Sequence, residues 1–284
     1  MSTLEDSVEI KDRQQRKNFD FKDFSSLDNS QDAEYLITSM DELFSVGTIK
    51  AMKGRAIDLL QIKTGESAID LGCGLGEDVE LIGKLVGETG SVIGIDSSEL
   101  MISQAKIRSK AKQVKYLVGN ANNLEYADGT FDACHIDRLL VSQKTPKQVL
   151  KESIRTLKSG GRLAVTDCEF GSIVIHPYHS ETTPILINRL HNIVENPFIG
   201  RQLHALFKEY GLIDITILPE PYIIRSLQQL NTMIDFPRII DDLYYMGQFT
   251  KPLADEALRS LQEADRAGDF LYGITLFTVF GKKP

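Results

Sequence analysis

The stretch Ser67-Ala68-Ile69-Asp70-Leu71-Gly72-Cys73-Gly74-Leu75-Gly76-Glu77-Asp78 constrains this chain more than any other. A short apolar run enters a turn with glycine at alternate positions, and a helical pattern follows. Glycine has no Cβ, so the backbone can turn tightly and a ligand can touch it. The first turn of the following helix directs unpaired N–H groups at the turn, which suits a carboxylate or other anion. An acid, Asp70, sits just before the first glycine. Strand, glycine turn and helix in that order is the opening unit of a parallel α/β sheet.

The glycine spacing separates two kinds of ligand. Dinucleotide loops carry a third spaced glycine where helix and strand pack beside a pyrophosphate. Here that position is Glu77. A carboxylate there repels a diphosphate and tolerates the ammonium and sulfonium of S-adenosylmethionine (SAM). A second apolar run, Gly90 to Asp96, ends in an acid twenty residues after Gly76. An acid at that separation accepts hydrogen bonds from ribose hydroxyls. Ser97 and Ser98 have the character of helix N-caps, and Met101, in the first turns of that helix, is placed to pack on an adenine ring.

With these motifs the chain resembles the class I SAM-dependent methyltransferases, in the small-molecule branch related to ubiquinone and menaquinone biosynthesis. The resemblance covers roughly residues 48–170. Val118-Gly119-Asn120-Ala121 matches the third motif, with Asn120 in place of the usual aspartate and set to contact the adenine amino group. Thr130 to Arg138 resembles the fourth strand and its exit, and Leu157 to Leu163 the turn into the fifth. The resemblance implies SAM as cofactor, with S-adenosylhomocysteine as product. It implies contacts to it from Asp70, Gly72, Cys73, Gly74, Gly76, Asp96, Ser97, Met101, Asn120, Ala121, Asp137 and Arg138. Arg138 meets the SAM carboxylate or a core acid. Cys73 itself reads as a small buried thiol.

Composition narrows the partners. The 284 residues, 42% hydrophobic, suit one packed domain with additions. A net charge of −8 argues against nucleic acid, which needs a basic face. No apolar run reaches the length of a membrane span, and the first residues are too polar for a secretory segment. Cys73, Cys134 and Cys168 lack paired spacing, which fits a reducing cytoplasm and neither a disulfide framework nor a metal site. The expected assembly is a monomer or homodimer.

Along the chain, residues 1–32 read as a charged arm interrupted by Phe19, Phe21 and Phe24, either a loosely docked tail or a lid. A helix from Ala33 places Leu36, Met40, Leu43 and Phe44 on one face, and Gly47 breaks it. A second helix puts Ile49, Met52, Ala56 and Leu60 inward. Residues 1–61 thus form an arm with lid helices, and 62–284 the SAM-binding domain. Strands are expected at about 67–71, 91–95, 114–118, 131–136 and 162–167, with helices at about 77–87, 98–110 and 146–157. Then come an irregular-to-helical insertion at 169–197, a helix from Pro197 to Tyr210 with Phe198 facing in, a strand at 212–218, a helical insertion at 226–267 and a last strand from Leu271 to Phe280. The fold class is α/β, Rossmann-like, with a seven-stranded mostly parallel sheet in three layers. The family resemblance makes the last strand antiparallel.

Ligands in open α/β sheets sit at the carboxyl ends of strands, so the two insertions would roof the site. Their apolar content points to a hydrophobic or aromatic small substrate, a natural-product or quinone-like metabolite. Phe170, Tyr178 and Tyr244 are candidate substrate contacts. Arg201 would hold a substrate carboxylate or phosphate, or a helix-end acid. A hydroxyl or indole nitrogen needs a base, whereas a nucleophilic carbon or amine need not. Candidate bases near the strand ends are Asp137, Asp167, Glu169, His176 and His179. Many relatives carry a histidine shortly after the arginine aligned with Arg138; here Ser142 and Gln143 stand there. No metal is expected. The alternatives are a protein or RNA methyltransferase, or a SAM-binding protein without methyl transfer, such as a cyclase.

Overall fold

The computed structural model describes residues 37–38, 40–42 and 46–284. The expected arm over 1–32 and the positions of Leu36, Leu43 and Phe44 lie outside the described residues. The first described helix after Met40, α1 (Gly47–Leu59), buries Ile49, Met52 and Ala56, and Leu60 caps its end.

The core alternates strand and helix as expected: β1 (Ser67–Leu71), α2 (Glu77–Val86), β2 (Ser91–Asp96), α3 (Glu99–Arg108), β3 (Val114–Val118), β4 (Phe131–Asp137) and α4 (Pro146–Thr156). Then follow β5 (Leu157–His176), α5 (Thr183–His191), α6 (Ile199–Glu209), β6 (Ile213–Ile224), α7 (Leu227–Met233), α8 (Phe236–Tyr245), α9 (Lys251–Ala267) and β7 (Leu271–Lys282). The seven strands form one sheet in the order β3-β2-β1-β4-β5-β7-β6. Only β7 is antiparallel to its neighbours, β5 and β6, and it lies between them.

The three layers follow from the pleat. Successive residues of β1 point to opposite faces. Ala68 joins an apolar cluster with Val79 and Ile82 of α2 and Ile102 of α3. Ile69 and Leu71 join a larger one with Val149 and Leu150 of α4. With both faces covered, the central strands lose polar alternation. Each fully buried Ile or Leu among them contributes about 1.5–3 kcal/mol.

Two strands run further than the sequence suggests. β5 continues through residues expected to open an insertion, past an irregularity between Glu169 and Val174, until His176 pairs with Leu271. The β-branched run Ile173-Val174-Ile175 favours the strand, and β7 supplies its partner. β6 passes through Pro219 and Pro221 to Ile224. Prolines are tolerated there because β6 is the edge of the sheet. Phe198, expected to face inward, is the N-cap residue of α6 and is 37% exposed.

The segment after β6 is three helices, each begun by a polar side chain. Ser226 accepts from the Gln229 N–H at 3.3 Å, Asp235 from Arg238 at 3.1 Å and Thr250 from Leu253 at 3.4 Å.

Two local features shape the carboxyl edge of the sheet. Gly76, the N-cap of α2, has φ +90°, and a Cβ there would lie 2.6 Å from Tyr116 Oη. Asp167, fully buried in β5, accepts hydrogen bonds from the backbone N–H of Val141 at 3.1 Å and of Cys168 at 2.9 Å. It thereby anchors the short 3-10 turn Leu140–Ser142 to the sheet. Burial pushes its carboxyl up to about 7 despite those bonds.

Gly76→Ala is expected to lose about 1–3 kcal/mol from backbone strain and the Tyr116 contact, read by denaturant unfolding. Asp167 gives a pH signature. An unfolded carboxyl releases its proton near pH 4, whereas the folded one keeps it to about 7. Between those values only the unfolded chain is deprotonated, so this group's contribution is full below pH 4 and falls as pH rises. The loss is on the order of a few kcal/mol by pH 8. Asp167→Asn should flatten the stability profile between pH 4 and 7; an unchanged slope would reject this assignment.

Candidate active site

A cavity of about 330 Å3 opens where the glycine turn, the carboxyl ends of the strands and α7 meet. Its polar end is built from chain segments that leave the sheet. Gly72, Gly74 and Gly76 all have positive φ, at +74°, +50° and +90°, so the turn needs glycine at each. The wall is tight there. A Cβ on Gly72 would meet Leu139 at 2.9 Å, and one on Gly74 would meet Met40 Cε at 2.7 Å. Ile37 and Met40 pack with Leu75 and Met101 over this turn.

Asp96, the last residue of β2, is oriented by two backbone donors. Its Oδ2 accepts from Gly74 at 2.9 Å and its Oδ1 from Ser98 at 3.0 Å. Ser98 in turn caps α3 by accepting from the Met101 N–H at 3.1 Å. Ser97, Met101, Asn120 and Ala121 continue this wall. Asn120 Oδ1 accepts from the backbone and side-chain amides of Asn122 at 2.9 and 3.2 Å. These bonds hold the Asn120 side chain at the cavity wall.

Asp137 and Arg138 close the polar end. Asp137 Oδ2 accepts from Lys53 Nζ at 2.6 Å and from Arg138 Nη2 at 2.9 Å. Burial would raise the Asp137 carboxyl, but the Arg138 and Lys53 charges overcome it and hold it well below the usual carboxylate range. Lys53 also pairs with Asp78, and both are buried. Beneath the turn, Asp70 Oδ1 and His135 Nδ1 lie 2.8 Å apart, both inside the core. Burial raises the Asp70 carboxyl, and the bond to Asp70 raises His135 against its own burial. Lys53 and His135 carry no sequence motif; a lysine on an otherwise apolar helix face and a histidine inside a strand were the available signals.

The other end of the cavity is apolar. Alternate residues of three adjacent strands face it: Cys168 and Phe170 of β5, Tyr272, Ile274 and Leu276 of β7, and Tyr222 and Ile224 of β6. Leu230 and Met233 of α7, with Ile234, cover them. The lengths of β5 and β6 create this wall, so an expected strand ending at 218 left Tyr222 and Ile224 unassigned. Val141, Ser142 and Gln143 line the junction between the two ends.

Of the residues read from the sequence, Gly72, Gly74, Asp96, Ser97, Met101, Asn120, Ala121, Asp137, Arg138 and Phe170 line the cavity together. Asp70, Cys73 and Gly76 support the turn from behind. Cys73 packs in the core, where burial pushes its thiol far up. Glu77 does not face the ligand space; its carboxylate lies 3.8 Å from Arg108, so the repulsion argument built on it does not apply.

Of the candidate bases only Asp137 lines the cavity; Asp167, Glu169, His176 and His179, and three of the candidate substrate contacts, stand elsewhere. Glu169 is buried outside the cavity wall and accepts from the Arg201 backbone at 2.9 Å and its guanidinium at 2.6 Å. Arg201, in the first turn of α6, therefore meets an acid of strand β5, not one at a helix end. His176, on the extended β5, is exposed, and exposed His179 contacts Ser260 Oγ at 2.6 Å. Tyr178 is 64% exposed, and Tyr244 packs beside Tyr245 with ring centroids 5.2 Å apart. The cause is the same for His176 and Tyr178: β5 carries the chain past the cavity before it turns into α5. Among the described residues lining the cavity there is no histidine.

Known proteins agree with this construction. The methyltransferase domain family matches residues 62–217. An uncharacterised 37.1 kDa protein in transposon TN4556 of Streptomyces fradiae is 31% identical over 86% of this chain and 70% of its own. The demethylmenaquinone methyltransferase of Halalkalibacterium halodurans is 29% identical over 63% of this chain and 81% of its own. That of Lactobacillus johnsonii is 35% identical over 45% of this chain, and the match spans about half of that relative, 54%. Two solved structures share the fold. The YcgJ protein of Bacillus subtilis has a TM-score of 0.59 at 15% identity, covering 81% of this chain and 97% of that one. The Haemonchus contortus phosphoethanolamine N-methyltransferase 2, in complex with phosphomonomethylethanolamine and S-adenosylhomocysteine, has 0.59 at 18%, covering 92% and 60%. The family match over more than half of the chain, with the seven-stranded sheet and the glycine turn at its carboxyl edge, places this chain in the methyltransferase domain family, among the class I SAM-dependent methyltransferases.

Proposed function

We propose that the protein transfers a methyl group from SAM to a hydrophobic or aromatic small molecule of quinone-like type. One observation carries the reading: a single cavity joins the glycine turn to a chamber walled by Phe170, Tyr222, Ile274 and Leu276. The names of the demethylmenaquinone methyltransferase relatives agree with an apolar, ring-bearing substrate.

The residues present fit SAM. Gly72 and Gly74 line the cavity with positive φ, so bare backbone faces it there. The donor set also matches the molecule's parts. Asp96 suits ribose hydroxyls, Met101 and the Asn120 amide suit the adenine, and Asp137 with Arg138 suits an ammonium and a carboxylate. When bound, SAM supplies an electrophilic methyl on a positively charged sulfur.

The chain's own contribution is placement and exclusion of water. Ile37 and Met40 cover the glycine turn, and α7 covers the apolar wall. Holding two reactants aligned in a dry cavity removes much of the barrier. Proton removal is not prominent. Among the described residues that line the cavity there is no histidine, and Asp137 is locked in ion pairs. This favours a nucleophile that needs no base, an electron-rich ring carbon above all, with the proton lost later to solvent. Among the described residues no helix is long and apolar enough to cross a membrane. A soluble enzyme working on small molecules in the cytoplasm, as a monomer or homodimer, completes the reading.

Calorimetry should show SAM and S-adenosylhomocysteine binding, and Asp96→Ala should weaken the latter by about 10–100-fold, the range for hydrogen bonds to a charged group. Absence of binding by the wild-type protein would reject the reading. Incubation with methyl-labelled SAM and host metabolite extract should place the label in an apolar small molecule; label in protein or RNA would favour a macromolecular substrate instead.

A further inference from the structure

Charge is unevenly spread along the chain. Residues 100–124 hold five basic side chains, Lys106, Arg108, Lys110, Lys112 and Lys115, and no acid. That leaves 27 of the 32 basic residues to offset all 40 acidic ones elsewhere. The basic run covers the end of α3, the connection after it and the start of β3, the edge strand of the sheet. Arg108 is engaged by Asp41 at 2.5 Å. Lys106, Lys110, Lys112 and Lys115 are exposed, and among the described residues none of them has an acidic partner. Exposed lysines elsewhere are matched, Lys147 with Glu209 and Lys251 with Asp255.

An apolar side chain stands among these lysines. Two residues past buried Ala105, Ile107 points away from the sheet. It is 74% exposed, more than any other large hydrophobic among the described residues. Leu117 and Val118, also exposed, lie further along the same edge strand. The corner is firmly placed. Glu80 of α2 accepts from Ser109 Oγ at 2.8 Å and from the Lys110 N–H at 3.2 Å. Gly83 lets Val114 close onto α2, where a Cβ would meet it at 2.8 Å.

Four unpaired lysines repel one another and gain from an anionic surface. Their long stems let the ammonium groups sit among headgroups while an apolar neighbour enters the acyl region. Clustered lysine around an exposed aliphatic residue is thus the composition of a membrane-surface contact. Single-stranded nucleic acid calls instead for exposed aromatic rings or free arginine; here Tyr116 is buried and Arg108 is paired. The acidic remainder of the protein is repelled by the same lipids, which orients the molecule with this corner toward them. We infer that the corner formed by the end of α3 and the start of β3 docks on an anionic lipid bilayer, with Lys106, Lys110, Lys112 and Lys115 among the headgroups and Ile107 inserted between them. None of these residues lines the cavity, so docking leaves the cofactor end intact and does not depend on which substrate is methylated. Attachment of this kind is reversible and weakens with salt.

The test uses the full chain with vesicles of phosphatidylcholine alone or mixed with phosphatidylglycerol. The wild type should sediment with the mixed vesicles at low salt, stay free of phosphatidylcholine alone, and be released as salt rises. Replacing the four lysines by glutamine should weaken binding about 100-fold or more, at roughly fivefold per lysine, with cooperative unfolding at the wild-type midpoint or above. Ile107→Gln should weaken it about tenfold through lost apolar insertion. The chain has no tryptophan, so Ile107→Trp supplies a single reporter. Its emission should shift to the blue on the mixed vesicles and be quenched by brominated acyl chains. Equal binding to both kinds of vesicle, binding that survives loss of the four lysines, or a reporter that does not shift would overturn the inference. So would a wild type that binds single-stranded RNA, or itself, through these lysines while leaving vesicles unbound.

Discussion

Lys53 of α1 reaches between Asp78 of α2 and Asp137 at the end of β4, and Arg138 braces Asp137 from the other side. The cavity's polar end depends on this buried cluster. Taking the charges out of water is costly, and mutual pairing offsets that cost only while every partner is present. Removing one would leave an uncompensated buried charge, a loss typically near 3–5 kcal/mol. The cluster therefore fixes α1, α2 and β4 relative to one another more firmly than apolar contact alone, which tolerates sliding. The Asp70–His135 pair extends it under the glycine turn. A turn whose three glycines all sit at positive φ has little stiffness of its own. It is held in shape by what surrounds it: Asp96 from one side, Tyr116 from another and this charge cluster below.

The apolar end depends on sheet topology instead. Because β7 enters antiparallel between β5 and β6, its first residues lie at the carboxyl ends of the parallel strands. Tyr272, Ile274 and Leu276 are thus delivered to the same edge as Asp96 and Asp137. A parallel strand in that place would present its last residues there. The reversal, together with the extension of β5 and β6 beyond the minimal core, builds a continuous wall from three strands. That wall belongs to regular secondary structure, which holds side chains more rigidly than a loop.

The two ends were unequally readable from sequence. The core strands and the residues Gly72, Gly74, Asp96, Met101, Asn120 and Asp137 follow from local patterns, since a glycine turn or a strand-terminal acid does its work within a few residues. The substrate end does not. Tyr222 and Tyr272 lie 50 residues apart and meet only through the β6–β7 register, which no local pattern encodes. His176 and His179 attracted attention because histidine is chemically versatile, yet where a histidine points depends on where its strand ends. The run Ile173-Val174-Ile175 and its partner on β7 carry β5 past the cavity, and the histidines go with it. Arg201 shows the same limit: neither of its expected partners is the one it meets, and only the fold brings Glu169 to it.

The cavity's chemistry is then a matter of what its wall withholds as much as what it supplies. On the proposed reading, a positively charged sulfur would sit near Asp137, yet that carboxylate is already shared between Lys53 and Arg138. It can stabilise positive charge without being free to abstract a proton. The thiol of Cys168, at the junction with the apolar chamber, is held protonated by burial first and by the acids around it, so it offers no competing nucleophile to an electrophilic methyl. Ser142 is occupied by the Leu139 carbonyl at 2.9 Å. The wall around the junction is thereby kept poor in groups that react with a methyl donor, and on the proposed reading the substrate's own most electron-rich atom is left as the site of attack. On the proposed reading, selectivity for that atom comes from how the substrate is held in the apolar chamber, since among the described residues the two carboxylates of the wall, Asp96 and Asp137, are engaged by backbone amides and by Lys53 and Arg138.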